Sequence, residues 1–312
     1  MSIGFPPNSY PFQVVADGAV AYWRLGEISG TTAVDVIGGY NGTITGGVTL
    51  NQPGAVAGGN PAMKFDGING VITVPAAVLN CGVAAQSFTI ECWLNSAYNE
   101  ANAGVFKKGL APFNAGGVGW EFRHQLGTNW QFARTGNGPL IGYIDATTGI
   151  PKPNVWSHIV VAYDASSHVV TAYVNAAVMQ MATLSGNDII AYTDTYPLLI
   201  GQGNDGYSAA TFDEVAIYPT ALSAGQIANH YSLRTFIPPY QSVINTGVVL
   251  SLTQYQIYTI QKGLHVTSNK SVEVSSDGIN FSSLANAQTI GARVSAQFIR
   301  TVNSGCVLSV KK

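Results

Sequence analysis

Charge is scarce in this chain. Lys and Arg number 14 and Asp and Glu 16, so charged side chains make up 10% of the 312 residues, where soluble proteins carry about 25%. The formal net charge is −2, which supplies none of the basic surface that draws a protein to nucleic acid or anionic lipid. Neither partner is expected. Cysteine is scarcer still: Cys81, Cys92 and Cys306 are odd in number and lack CxxC spacing, which argues against a disulfide framework and a structural zinc site. Buried reduced thiols are the expectation, with Cys81 and Cys92 the one pair left open to bridging. Long apolar runs are missing too. No stretch approaches the roughly 18 to 20 residues that span a bilayer, so a soluble chain without membrane insertion is expected. The N-terminal "MSIGFPPNSYPFQVVADGAVAYW" shows no basic segment, apolar segment and small-residue cleavage site in succession, and its prolines predict that no helix forms there.

What is present is strand chemistry. Short runs rich in Val, Ile, Thr, Tyr and Phe recur as "GVITVP", "SFTIECWLN", "GWEFRHQL", "NWQFARTG", "WSHIVVAYD", "VVTAYVNA", "YPLLIGQG" and "TFDEVAIY", with Gly, Asn and Pro clusters between them. Many short strands at this spacing predict an all-β sandwich or barrel. The main helical signal is "LSAGQIANHYSL", where Ser223 and Gln226 have the spacing of a capping box. Gly225 weakens it, so two turns at most are expected. "RTFIPPYQS" reads as a stiff linker. The division expected is an N-terminal arm at 1–19, a large β domain at 20–234, a proline-containing linker at 235–244 and a small β domain at 245–312. In the last, "SSDGIN" carries an Asp-Gly hairpin signal.

The order "VAYWRLGE", "AVDVIGGYNGT", "AMKFDGINGVITVP", "SFTIECWLN", "NVWSHIVVAYD", "VTAYVNA", "FDEVAIYPTALSAGQIANHY" resembles the laminin G-like branch of the concanavalin A-like jelly rolls. The most specific pieces are Tyr22-Trp23-Arg24-Leu25, Phe65-Asp66-Gly67, Trp156-Ser157-His158 and Asp213-Glu214-Val215. The resemblance implies a jelly-roll sandwich over 20–234, a fold that hosts binding, structural and hydrolytic functions alike.

Three functions can be weighed on residues. Family members that cleave β-glucans set carboxylates at i, i+2 and i+5 on one strand, because retaining hydrolysis needs two carboxyls about 5 Å apart across the sugar. The six glutamates Glu27, Glu91, Glu100, Glu121, Glu214 and Glu273 show no such spacing. Asp213 and Glu214 are neighbours, so a regular strand points them to opposite faces, one toward a loop or ion and the other toward solvent or the opposite face. The five histidines form no metal-ligand doublet, and no G-x-S-x-G elbow marks a nucleophile. Catalysis is not expected. For calcium, which takes six to eight oxygen ligands, the resemblance implies a site at the sandwich edge; the matching candidates are Glu27, Asp35, Asn41 and Asp213, against their use as ordinary turn and loop acceptors. For a glycan, which needs an aromatic platform and hydrogen-bonding side chains, the candidates are Trp120, Arg123, His124 and Trp130 on adjacent strands and Asn204, Asp205 and Tyr207 on a loop. Arg134 stands on the same hairpin. Alternation puts Trp120, Phe122 and His124 on one face and Glu121 and Arg123 on the other. The competing reading makes the aromatics core.

A neutral, Gly-, Thr- and Asn-rich surface without a leader fits a protein assembled in the cytosol that later meets the outside. "SYPFQVVADGAVAYWRLGE" and "VSSDGINF" resemble segments of bacteriophage head-decoration, fibre and tail proteins. The resemblance implies a non-enzymatic virion surface protein, a homo-oligomer bound to other capsid or tail proteins and meeting a host-surface glycan. The other class is a bacterial surface or secreted glycan-binding module, with a glycoside hydrolase behind both.

Overall fold

β-Branched and aromatic side chains suit a pleated, half-buried surface, and among the described residues strands far outweigh helices. The computed structural model describes residues 5, 9–57, 60–78, 86–98, 102–110, 118–125, 129–136, 140–184 and 195–235, with the backbone alone at 110, 118, 134–136 and 140–143. Beyond 235 it describes the backbone of short strands between 241 and 311. Two compact units result, one of residues 14–55 and 60–232, the other of 1–13, 56–59 and 233–312.

The larger unit is a sandwich of two antiparallel sheets, each eight-stranded among the described residues. The first runs Ala177–Thr183, Val169–Val174, Ser157–Asp164, Phe88–Ser96, Ala210–Tyr218, Ala62–Phe65, Val48–Gln52, with Ala21–Trp23 also paired to Ala210–Tyr218. The second runs Leu140–Ala146, Asn129–Gly136, Val118–Gln125, Ala103–Leu110, Leu198–Ile200, Val71–Val74, Gly42–Thr45, Thr32–Ala33. Their inner faces share one apolar core, in which Trp23, Phe65, Phe88, Ile90, Cys92, Phe106, Trp120, Phe122, Trp130 and Phe132 are buried. Cys92 is a free buried thiol, while Cys81 lies outside the described residues.

Local signals place the connections. Asp66 Oδ1 accepts the N–H groups of Ile68, Asn69 and Gly70 at 2.9 to 3.0 Å, an Asx turn that reverses the chain after Ala62–Phe65. The expected capping box starts the helix Ala224–Ser232: Ser223 N–H donates to Gln226 Oε1 at 3.0 Å and Gln226 N–H to Ser223 Oγ at 3.3 Å. The prolines do not forbid an N-terminal helix. Tyr10–Ala16 is helical, because Pro11 occupies its first turn, where a missing N–H costs nothing, and Ser9 caps it through Phe12 N–H at 3.4 Å.

The strand Ala210–Tyr218 departs from regular alternation. Phe212, Val215 and Ile217 all enter the core, which a regular strand cannot arrange for the three-residue step between the first two. A bulge supplies the extra residue: register shifts between Asp213 and Ala216, and Glu214 adopts φ +51. The two acids part as the expectation of a loop for one and another face for the other allowed, Asp213 to the amide of Ala55 and Glu214 to Arg24, and neither reaches solvent.

The described C-terminal residues form two small sheets. One is ordered Gln241–Ser242, Tyr258–Thr259, Phe298–Thr301, Val272–Ser275, Ser282–Ser283, the other Val249–Leu252, Cys306–Lys311, His265–Ser268. Gln241–Ser242, inside the stretch read as linker, pairs in parallel with Tyr258–Thr259. The strands flanking the Asp-Gly signal pair antiparallel; the signal itself lies outside the described residues.

Candidate functional site

Cross-strand register lines up polar side chains on the outer face of the second sheet. Arg123 stands opposite Gln131, and Gln131 opposite Asp145. Arg123 Nε donates to Gln131 Oε1 at 2.9 Å, Gln131 Nε2 to Asp145 Oδ1 at 3.3 Å, and Asn129 Nδ2 to the same oxygen at 2.9 Å. At one end, Asp145 N–H donates to Gln180 Oε1 on the rim of the first sheet at 3.1 Å. At the other, Arg123 Nη1 meets Asp205 Oδ2 at 2.7 Å. The Asp205 side chain is 44% exposed, and Asn204 Nδ2 donates to its second oxygen at 2.9 Å.

The loop 201–208 is held on this face by hydrogen bonds to the main chain of Ala103–Leu110. Gly201 N–H donates to Val105 O at 3.0 Å, Gly104 N–H to Gly206 O at 3.3 Å, and Ser208 Oγ to Gly104 O at 2.8 Å. Gly104 and Gly203 touch backbone to backbone, so a methyl group on either would overlap the other chain. Tyr207 is half-buried, with its hydroxyl accepting from Gln202 Nε2 at 3.1 Å. Under the loop lies Glu121, fully buried; its Oε2 accepts Asn204 N–H at 3.1 Å. Burial pushes the Glu121 carboxyl up to about 7, against the pull of the Asn204 amide, Arg123 and Lys107.

Of the seven glycan candidates, then, Arg123, Asn204, Asp205 and Tyr207 are brought together. Trp120, Trp130 and His124 are not available: all three are buried, on the inward face of the same strands. Trp120 stacks on Phe88 and Trp130 tilts against Phe122. His124 packs edge-on to Tyr98, and burial pulls its imidazole down to about 4, leaving it neutral. An aromatic platform must be open to its sugar, and these rings fill the core instead. Gln131, Asp145, Gln180 and Glu121 have no motif in the sequence; Gln131 and Asp145 join the site as register partners of Arg123, and Gln180 and Glu121 through contacts that sequence does not show.

The calcium candidates organise backbone. Glu27 Oε1 accepts Val34 N–H at 2.8 Å, and Asn41 Oδ1 accepts Asp35 N–H at 2.9 Å. Asp35 accepts from the amides of Tyr22, Ile37, Gly38 and Tyr40 at 2.8 to 3.1 Å. Asp213 Oδ2 accepts Ala55 N–H at 2.8 Å, and burial, with Glu214 beside it, holds the Asp213 carboxyl well above its ordinary value. Amide donors around Asp35 present positive charge where a cation would sit, and burial disfavours the charged form of Asp213 that a cation needs. Among the described residues no group of three or more His, Cys, Asp and Glu side chains is placed to hold a metal. The four side chains do not fit one shared calcium ion. The melting temperature is expected to be the same with and without a chelator; a drop on chelation would restore the calcium reading.

A second polar cluster lies between the outer face of the first sheet and the helix Ala224–Ser232. Glu91 is bonded to His158 Nε2 at 2.9 Å, to His230 Nδ1 at 3.0 Å and to the Tyr218 hydroxyl, and His230 Nε2 reaches Asp17 Oδ2 at 2.8 Å. Beside it Glu214 takes a bidentate ion pair from Arg24, at 3.1 and 2.7 Å, and the Tyr22 hydroxyl. Glu91, His158, His230 and Glu214 are all fully buried. This cluster fastens the closing strand and helix.

A family model described as the concanavalin A-like lectin/glucanases superfamily matches residues 66–228, just over half of the chain. The chain belongs to this family. No curated protein matches it. Among solved structures, the binding domain of botulinum neurotoxin serotype D is similar at 11% identity and a TM-score of 0.53, covering 90% of this chain and 65% of that one. The ligand binding domain of the same toxin in complex with N-acetylneuraminic acid gives 11%, 0.51 and the same coverage. A Trypanosoma rangeli sialidase in complex with sialic acid aligns at 18% identity over 69% of this chain and 32% of that one, with a TM-score of 0.48 that carries no argument. This concanavalin A-like chain thus spans less than two thirds of each of those chains, and at such identities the likeness is one of fold.

Proposed function

We propose that the sandwich is a non-catalytic glycan-binding domain displayed on the surface of a bacteriophage particle. The row Asp205, Arg123, Gln131, Asp145 supports the binding half of this reading. Planar amide, guanidinium and carboxylate groups, held in one orientation by their neighbours, suit sugar hydroxyls that both donate and accept, and fixing them beforehand lowers the entropy lost on binding. Tyr207 supplies the aromatic surface at the end of the row. The family's lectin members and the toxin domain that binds N-acetylneuraminic acid agree with a sugar ligand. Asp213 and Glu214, buried and engaged with backbone and with Arg24, give hydrolysis no support. The virion setting is supported by the sparse charge and by the resemblance of two segments to phage head and tail proteins; homo-oligomers and contacts to other virion proteins belong to that setting.

A glycan array with the wild-type chain, Tyr207→Ala and Asp205→Ala tests the site. Each variant is expected to lose at least about tenfold in affinity, on the order of the 1.4 kcal/mol of one good contact, with an unchanged melting temperature. Binding that survives both changes, or no binding to any glycan, overturns the assignment. Mass spectrometry of purified phage particles tests the setting, and particles without the chain would move it to a bacterial surface module.

A further inference from the structure

The loop 201–208 rests on a carboxyl group whose second oxygen is left over. Glu121 Oε1 is buried and has no hydrogen-bond partner, and the Gly203 backbone is packed directly onto it. Protonated, Glu121 leaves one buried O–H without an acceptor, a modest cost; ionised, it leaves a charge removed from water with one oxygen unpaired, a larger one.

The charged groups facing Glu121 are Lys107, directly opposite on Ala103–Leu110, Arg123 on its own strand and Asp205 on the loop. Asn129–Gly136 places Ala133 opposite Glu121, an apolar neighbour. Arg123 is already engaged with Asp205 and Gln131, and Lys107 is half-buried at the margin. The surroundings favour the neutral form while the loop is down; water favours the charged form once it lifts.

We propose that loop 201–208 is a proton-operated latch on the glycan-binding face, closed over a neutral Glu121 and loosened when Glu121 gives up its proton to solvent. The inference rests on the reading of this face as the ligand site, since Asn204, Asp205 and Tyr207 travel with the loop. Its sign follows from linkage. With the loop down Glu121 titrates near 7, and with the loop lifted near its ordinary 4.5. Lifting therefore becomes easier as pH rises from 4.5 to 7, and the effect is complete above 7.

Hydrogen exchange at the Gly203 and Asn204 amides tests the latch without any ligand. After correction for the intrinsic rate, protection is expected to fall at least about tenfold between pH 5 and pH 7.5, the change that one unit of coupled titration gives. In Glu121→Gln, a neutral side chain of the same shape, protection should be equal at both values. Gly203→Ala, which forces the loop off the strand, should be poorly protected at both. Constant protection in the wild-type chain, or a fall that persists in Glu121→Gln, overturns the latch. Glycan affinity should follow the same pattern, tighter at pH 5 in the wild-type chain and independent of pH in Glu121→Gln. A loop that loosens as expected in a chain that binds no glycan would leave the latch standing and remove the glycan reading.

Discussion

Replacing Glu91 with alanine is expected to lower the unfolding free energy by about 3 to 5 kcal/mol, the usual cost of stripping one partner from a buried ionic cluster. Three side chains converge on this carboxylate: His158, His230 and Tyr218. Burial alone would raise its titration point, but His230 and His158 outweigh that and hold Glu91 well below the usual carboxylate range. His230 responds in kind. Burial pulls it down, yet Glu91 and then Asp17 push it up to about 9, as expected of an imidazolium whose two N–H groups each face a carboxylate. Removal of Glu91 thus leaves His158 and His230 buried over a void and unpins the helix Ala224–Ser232 from Phe88–Ser96.

The pH dependence carries the same signature. The depressed Glu91 contributes stability that is fully present above its unfolded value of 4.5 and is lost as the solution becomes more acid. The raised His230 contributes stability that is present below 6.5 and is lost as pH rises toward 9. Glu121 adds a decline of its own between 4.5 and 7, so the titration belongs in a Glu121→Gln background. There, urea denaturation should show a plateau from about 4.5 to 6.5 and a fall toward 9 that is largely absent once Glu91 is alanine. A stability curve flat to pH 9, or a Glu91→Ala variant as stable as its parent, would remove the ionic account of the seam.

Trp120→Ala is the second large effect, about 3 to 5 kcal/mol through lost burial and the cavity left behind. Trp120 is 1% exposed. Its ring stacks on Phe88 at 5.3 Å between centroids and on Phe132 at 6.3 Å, and because Phe88 belongs to the first sheet and Phe132 to the second, the indole ties the two layers. A lower urea midpoint with an unchanged m-value is the expected reading. The contrast with Tyr207→Ala separates the two roles: one variant loses the fold and the other loses the ligand. A Trp120→Ala chain that melts like its parent but no longer binds sugar would return the indole to the binding face.

Much of this was legible before any coordinates. Runs of branched and aromatic residues located the strands, Ser223 and Gln226 located the closing helix, and alternation sorted Trp120 and Phe122 from Glu121 and Arg123. Alternation names two faces without saying which is inward, and here both are buried near Glu121 because a loop lies over the outer one. The aromatics that looked like a platform are core because theirs is the face turned toward the other sheet. The bulge is not read from sequence, because Asp213 and Glu214 are set there on a regular strand; the three-residue step shows only once Phe212, Val215 and Ile217 are all found inward. The Glu91 cluster was not legible, since its members come from residues 17, 91, 158, 218 and 230 and share no local pattern. Pro11 misled because proline forbids a helix interior but not a helix start.

The Asp145 amide bond to the Gln180 side chain has a meaning beyond the binding row. It joins the rims of the two sheets, Leu140–Ala146 and Ala177–Thr183, and terminal strands of this kind are where one molecule can zip onto the next through unpaired main-chain groups. With that donor answered by a side chain from the opposite rim, a neighbouring chain finds no hydrogen-bonding partner at that point. A neighbour pairing along this rim would first have to displace Gln180 from the Asp145 amide.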